Sequence, residues 1–344
     1  MKLHLKLNNN NNIYYSCAKC YSYDFFMAYI DGGRGIGKTT TFLIKAIEEV
    51  NKGGEFIYLR RYKPEIKKFI NNCPIDKIVK EEVAYKGMGN SAYKIIVKDT
   101  VLGYAIPLAT QVAFKSVDFS KVKLVIFDEA ILKPSATLRY LANEVQDFFL
   151  EFISTVQRTR TDLKVVVLGN NVDLFSPYAS FFELPIYDKI WYDKKRRLYC
   201  EHAKNSPALI EMEKKTGLYS LIEGTAYADY HYDNKVLTNE QYNIVEKPNN
   251  TSLMFRITVD KQTVNVYQFN TDGDTCLYCE WKDKYIDDNI TYHLLDKGKI
   301  NYLHAQTFKM KLLHYLFRHY YNNRIVYSSD KAGAIITWLI EEVK

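Results

Sequence analysis

Long apolar runs are missing from this chain: nothing in its 344 residues reaches the roughly 18 consecutive apolar positions of a membrane span. Met1 to Asn12 carries lysines and an asparagine run but no apolar segment, so it reads as a flexible lead-in rather than a secretory signal. Cysteine is sparse, with Cys17, Cys20, Cys73, Cys200, Cys276 and Cys279. Two C-x-x-C pairs lie near opposite ends of the chain, too far apart for a short-spaced zinc site, and reduced thiols in a cytosolic compartment are expected. Charge of one sign is also scarce. The 47 basic and 40 acidic residues leave only +7, which is compatible with a polyanion partner without establishing one. What is present is core material: 47% of residues are hydrophobic, which excludes disorder as the default. The 29 tyrosines suit cores and interfaces, or stacking on bases and sugars.

From residue 24 onward, apolar runs alternate with amphipathic stretches. Strands are expected at Phe25 to Ile30, Glu55 to Arg60, Lys94 to Lys98, Gly103 to Leu108, Lys123 to Phe127 and Lys164 to Leu168. Helices are expected at Thr39 to Asn51, Lys63 to Asn72 and Asn143 to Thr159. Such alternation implies an α/β fold with a mostly parallel sheet covered on both faces. After about residue 200 the signal fades, with a charged helix expected at Glu201 to Gly217 and a linker at Leu218 to Pro248. From Ser252 the pattern turns to β at Leu253 to Val259, Val264 to Asn270 and Cys276 to Trp281, with turns at Asp260-Lys261 and Asp272-Gly273. Helices at Tyr302 to Asn322 and Ala334 to Val343 follow.

The strongest motif is Gly32-Gly33-Arg34-Gly35-Ile36-Gly37-Lys38-Thr39, which fits G-x-x-x-x-G-K-[ST] between an expected strand and an expected helix. The glycines let successive backbone N–H groups turn inward as an anion nest at a helix N-terminus. Lys38 is then expected on the β- and γ-phosphates, with Thr39 as a Mg²⁺ ligand and Thr40 completing the nucleotide contacts. Leu124-Val125-Ile126-Phe127-Asp128-Glu129 places two carboxylates at the C-terminal end of an apolar strand, where open α/β sheets bind ligands. Asp128 is expected to hold the Mg²⁺ shell, and Glu129 to polarise the attacking water. No glycine follows Asp128 and no Asn-Lys-x-Asp motif occurs, which favours ATP over GTP. Asn170, after the strand Lys164 to Leu168, is a candidate sensor of the γ-phosphate or the lytic water. The alternative is a plain Gly169-Asn170 turn. Arg158 and Arg160 close the helix before that strand. They either complement its dipole or supply an arginine finger to a neighbouring subunit.

These residues carry a resemblance. The arginine-bearing phosphate loop, Phe56 to Glu65, Ala105 to Leu108, Ile126 to Glu129 and Phe175 to Tyr178 together resemble the DNA packaging ATPases of phi-29-like podophages, and Leu221 to Thr225 extends the likeness. The resemblance implies a P-loop ATPase of the additional-strand type over residues 1–203, a linker or hinge over 204–242, and a smaller α+β, RNase H-like domain without nuclease activity over 243–344. It implies a homomeric ring, a pentamer in such motors, that acts at the portal of an empty capsid and moves double-stranded DNA with ATP and Mg²⁺. A structural RNA is a further candidate partner, and the host cytoplasm and portal vertex are the expected locations. Residue by residue, it matches Lys38 and Thr39 to the phosphate loop, Asp128 and Glu129 to the acidic pair, and Arg158 to a trans-acting finger. It matches Lys115 to a lysine near the nucleotide at the subunit interface, and Asn170 to a coupling element. Leu132 to Ala142 matches a DNA-facing loop, making Lys133 and Arg139 candidate phosphate contacts or else solvated surface charge. Lys194 to Arg197 is a denser basic run with the same two readings.

Two other readings compete. One is a terminase with a live nuclease, whose carboxylates would come from Asp260, Asp272, Asp274 and Glu280. The other is a P-loop small-molecule kinase or nucleotide-gated binding protein, which would need neither a ring nor DNA.

Overall fold

The computed structural model describes residues 2–6, 13–72, 74–132, 139–170, 176–182, 184, 190–223, 225, 242–259, 262–271, 274–296, 299–300, 304, 307–322 and 324–342. Lys133, Asn171, Phe175, Gly224, Asp260, Lys261, Asp272 and Gly273 lie outside the described residues. The chain divides into two units, one formed by Met1–Asp173 with Pro185–Leu237, the other by Leu174–Leu184 with Thr238–Lys344.

The first unit is built on a nine-stranded sheet of order β3-β4-β5-β2-β6-β7-β1-β9-β8. Its strands are β1 (Met27–Gly32), β2 (Glu55–Arg60), β3 (Ala84–Gly89), β4 (Ala92–Val97), β5 (Thr100–Pro107), β6 (Val122–Phe127), β7 (Lys164–Leu168), β8 (Trp191–Asp193) and β9 (Leu198–Ala203). The run from β5 to β9 is parallel throughout, and antiparallel strands flank it on both sides. Parallel strands are covered on both faces, so their sequences must be apolar at nearly every position. The buried runs Val165 to Leu168 and Leu124 to Phe127 meet that demand. β7 lies between β1 and β6, so an extra strand separates the two that end in the phosphate loop and in Asp128. The sheet is the mostly parallel one expected.

The helices of this unit are α1 (Ala18–Tyr21), α2 (Lys38–Asn51), α3 (Lys63–Asn72), α4 (Glu151–Gln157), α6 (Pro207–Glu213) and α7 (Gly217–Ile222), while α5 (Pro177–Phe181) belongs to the second unit. α2 buries Phe42, Leu43, Ala46, Ile47 and Val50 along one face. Two expectations need correction. The helix expected over Asn143 to Thr159 is a π-helix at Glu144–Leu150 that continues into α4. The charged helix expected from Glu201 is instead the end of β9, with helix only at Pro207–Glu213, where Ser206 Oγ accepts from Leu209 N at 3.1 Å. Glu201 and His202 look solvent-facing in sequence, but both are satisfied inside the fold. Glu201 accepts from Tyr15 and Tyr199, and His202 pairs with Asp31.

The second unit carries a six-stranded sheet of order β14-β13-β10-β11-β12-β15. β10 (Ser252–Val259), β11 (Gln262–Thr271) and β12 (Asp274–Lys282) form an antiparallel meander. β13 (Thr291–Asp296) runs parallel to β10, β14 (Lys299–Ile300) pairs antiparallel with β13, and β15 (Ile325–Tyr327) runs parallel to β12. Phe255, Ile257, Val264, Val266, Leu277 and Cys279 form the buried face. Helices α8 (His314–Tyr321) and α9 (Asp330–Glu342) cover it with Leu316, Ile335, Ile336 and Leu339. A π-helix at Lys309–Leu313 precedes α8 within the helix expected over Tyr302 to Asn322.

Candidate active site

β1 ends in the glycine-rich loop, and α2 starts directly behind it. Gly37 caps α2 at φ 93°, and Gly32 adopts φ 147°. A side chain at Gly32 would also collide with β9, since a Cβ there would lie 2.2 Å from the Ala203 carbonyl oxygen. Ile36 plugs the loop into the core, while Arg34, Gly35 and Thr40 are exposed. Lys38 is buried, and its ammonium donates to the carbonyls of Gly32 (3.0 Å) and Gly33 (2.7 Å). Burial pulls its pKa down to about 8, opposed by Asp31 and then Asp128.

β6 delivers Asp128 and Glu129 to the same edge. Thr39 Oγ1 donates to Asp128 Oδ1 at 2.9 Å, so the first residues of α2 meet the end of β6. The other Asp128 oxygen accepts from Tyr58 (2.7 Å) and Arg60 (3.3 Å) of β2. Arg60 also pairs with the Glu129 carboxylate and reaches Glu65 at 3.6 Å. Glu129 has φ 51°, and its carboxylate is partly exposed, unlike that of Asp128. Asn170 follows β7, the strand between β1 and β6, so the structure brings residues 32 to 40, Asp128, Glu129 and Asn170 to one edge of the sheet. The donor set fits a magnesium nucleotide. Thr39 and Asp128 supply two oxygens in mutual contact, and a buried ammonium lies within a glycine loop.

Sequence reasoning missed the groups that hold this edge in shape. Arg61 is completely buried and meets Glu144 through two hydrogen bonds, at 2.5 and 2.8 Å. It also donates to the carbonyls of Ala130 (2.6 Å) and Glu129 (3.4 Å), fixing the backbone that carries the catalytic candidate. Arg60 and Arg61 stand at the end of an apolar strand and within the Phe56 to Glu65 run that carries the resemblance, but neither signal names their partners. Behind the loop, Asp31 Oδ1 lies 2.6 Å from His202 Nδ1. Burial opposes the charged imidazole, but hydrogen bonds to Asp31 and Cys200 raise its pKa to about 11.

The remaining candidates lie elsewhere. Lys115 pairs with Glu151 of α4 at 3.7 Å, and Arg158 follows α4 with φ 50°. Both side chains are exposed, and no hydrogen bond or ion pair among the described residues ties either to the phosphate loop. Arg160 is held differently: it donates to the carbonyls of Ser120, Val122 and Val156, as a strut within its own chain. Arg139 is exposed, and its carbonyl accepts from Tyr62 at 2.7 Å.

The family model described as podovirus DNA encapsidation protein (Gp16) matches residues 9–324. The chain is 30% identical over 264 residues to the DNA packaging protein of Bacillus phage phi29, covering 75% of this chain and 76% of the relative. It is 32% identical over 266 residues to the DNA packaging protein of Bacillus phage B103, covering 74% and 80%. Among solved structures, the bacteriophage Phi-29 viral genome packaging motor assembly aligns with TM-score 0.62 and 23% identity over 97% of this chain and 100% of that one, a likeness of fold. The Phi-28 gp11 DNA packaging motor aligns with TM-score 0.53 and 16% identity over 97% and 98%, again a likeness of fold. The chain belongs to the podovirus DNA encapsidation protein (Gp16) family.

Proposed function

We propose that this chain is an ATPase that drives double-stranded DNA into a viral capsid as a subunit of a homomeric ring. One observation carries the reading: Thr39 and Asp128 meet at 2.9 Å beside Glu129, at the C-terminal edge of the sheet and the N-terminus of α2. Lys38 and the loop amides would bind the triphosphate, and Thr39 and Asp128 would hold Mg²⁺, which supplies charge neutralisation at the phosphates. Glu129 would take the proton of the attacking water, Asn170 would orient that water, and Arg60 would restrain the Glu129 carboxylate until the nucleotide site is complete. Lys115 and Arg158, exposed and unattached to their own loop, are suited to a neighbouring subunit's site. Family membership supports DNA, and the portal of a capsid, as partners.

The second unit supports an RNase H-like reading, since a three-strand meander followed by a strand parallel to its first member is the start of that topology. A row across the meander pairs Arg256 with Asn265 and Asn265 with Glu280, so an arginine occupies the first strand at this level. We read this unit as non-cleaving. A Mn²⁺-dependent plasmid assay checks it, and cutting lost on substitution of Glu280 would overturn it.

The test of the main reading is ATP hydrolysis with and without double-stranded DNA, combined with mass by light scattering with and without an ATP analogue. DNA-stimulated turnover and an assembled ring are expected. Turnover indifferent to DNA, from a monomer or dimer, would point to a small-molecule kinase or a nucleotide-gated binder instead.

A further inference from the structure

β1 and β9 are neighbouring parallel strands, and their register sets Asp31 opposite His202 and Gly32 opposite Ala203. Every residue of β1 is buried, so a carboxylate immediately before the phosphate loop is out of place unless something compensates it. His202 does so from β9, at 2.6 Å, with its own side chain mostly buried. The neighbouring charged groups are Lys38 and Asp128 on the loop side and Glu201 on β9. Asp31 acts on the buried Lys38 more strongly than Asp128 does. Glu201 is occupied by the hydroxyls of Tyr15 and Tyr199. The backbone is equally tight here, because the Ala203 carbonyl presses on the face of Gly32 where a side chain would stand.

We propose that Asp31 and His202 are a positioning pair for the phosphate loop: the imidazolium cancels the Asp31 charge and holds it away from Lys38, leaving that ammonium for the phosphates. The inference rests on the ATP-binding reading above. Without the cation, the Asp31 carboxylate would compete with the triphosphate for Lys38 and repel it through a poorly screened interior. The raised pKa of His202 agrees with a charged partner at neutral pH. This links β9, the last strand before α6 and α7, to the nucleotide site through the single ion pair at Asp31.

The test is a titration of the full chain with a fluorescent ATP analogue and Mg²⁺, using wild type, His202→Gln, Asp31→Asn and the double variant, with the melting temperature of each. His202→Gln keeps a donor but loses the charge, and is expected to weaken nucleotide binding at least about tenfold. Asp31→Asn/His202→Gln is expected to return to within about threefold of wild type even if its melting temperature stays low, since the uncompensated charge is gone. A purely structural pair would instead make affinity follow the melting temperature in every variant. Wild-type affinity in His202→Gln, or a double variant as weak as the single, would overturn the proposal. Asp31→Asn alone keeps the cation and is expected to bind within about threefold of wild type or more tightly. A tenfold loss there would also overturn it, whether or not His202→Gln folds. Absence of saturable binding by wild type would instead sink the nucleotide reading itself.

Discussion

The Thr39 hydroxyl donates to Asp128 over 2.9 Å, although 89 positions separate the two residues in the chain. The contact joins the start of α2 to the end of β6 and leaves Glu129, the next residue, with a partly exposed carboxylate at the same edge. Glu129→Gln keeps the shape but cannot accept a proton, so ATP turnover should fall at least about a hundredfold while nucleotide affinity stays within about threefold. Thr39→Ala should weaken Mg²⁺-dependent binding and leave Mg²⁺-free binding nearly unchanged. Parallel loss of affinity and turnover in Glu129→Gln would remove Glu129 from the role of base.

Arg60 is mostly buried among three carboxylates, Glu65, Asp128 and Glu129. Replacing it with methionine leaves the buried Asp128 short of a partner and should cost about 2 kcal/mol, read by urea unfolding. Under the proposed reading, magnesium nucleotide would supply a substitute cation at Asp128. The variant should therefore gain a larger melting shift than wild type on adding Mg²⁺-ADP. Equal shifts would argue that Arg60 and Mg²⁺ do not share Asp128.

What could be read in advance followed from local chemistry. The glycine spacing of residues 32 to 37 and the apolar run ending at Asp128 are self-contained signals, because loop strain and strand burial act within a few residues. The ion pairs are not self-contained. Arg60 reaches Glu129 across 69 positions, Arg61 reaches Glu144 across 83, and Asp31 meets His202 across 171. No periodicity encodes those meetings; only the strand order does. β9 was misread for the same reason, since Glu201 and His202 look like surface charge until Tyr15, Tyr199 and Asp31 are placed around them. Short edge strands such as β8 and β15 carry too few residues to show alternation at all.

The Arg61–Glu144 pair has no exposed side-chain surface on either partner. Breaking it from one side strands a charge in the interior, so Glu144→Ala should cost about 3–5 kcal/mol in unfolding free energy. Arg61→Leu/Glu144→Leu removes both charges and should recover a substantial part of that loss. Because Arg61 also holds the Glu129 and Ala130 carbonyls, the double variant should remain impaired in ATP turnover. Recovery of both stability and turnover would show that the pair does nothing for the site.

Two arginines two positions apart should separate cleanly. Arg160 donates to three carbonyls at 2.7 to 2.9 Å, so Arg160→Ala should cost about 1–3 kcal/mol of stability. Arg158 is exposed, and Arg158→Ala should change stability by less than about 0.5 kcal/mol while abolishing ATP turnover in the assembled ring. Mixing Arg158→Ala with Glu129→Gln subunits should restore turnover at interfaces that combine an intact arginine with an intact glutamate. No recovery at any mixing ratio would contradict action in trans.

The Asp31–His202 pair also makes a prediction about stability against pH. The histidine is raised from 6.5 to about 11 in the folded chain. Its contribution is therefore complete below pH 6.5 and is lost as pH climbs through the folded value. The free-energy difference between wild type and His202→Gln should be largest near pH 6 and shrink toward pH 11, by at most about 1.4 kcal/mol per pH unit. Groups that titrate alike in both proteins cancel in that difference, but the Cys200 thiol, hydrogen-bonded to His202, and Lys38, which faces Asp31, do not, so urea unfolding across the alkaline range is repeated in a Cys200→Ser background and with Lys38→Met in both members of the pair. A difference that stays flat from pH 6 to pH 10 would mean that His202 is neutral in the fold and that Asp31 is held by a hydrogen bond alone.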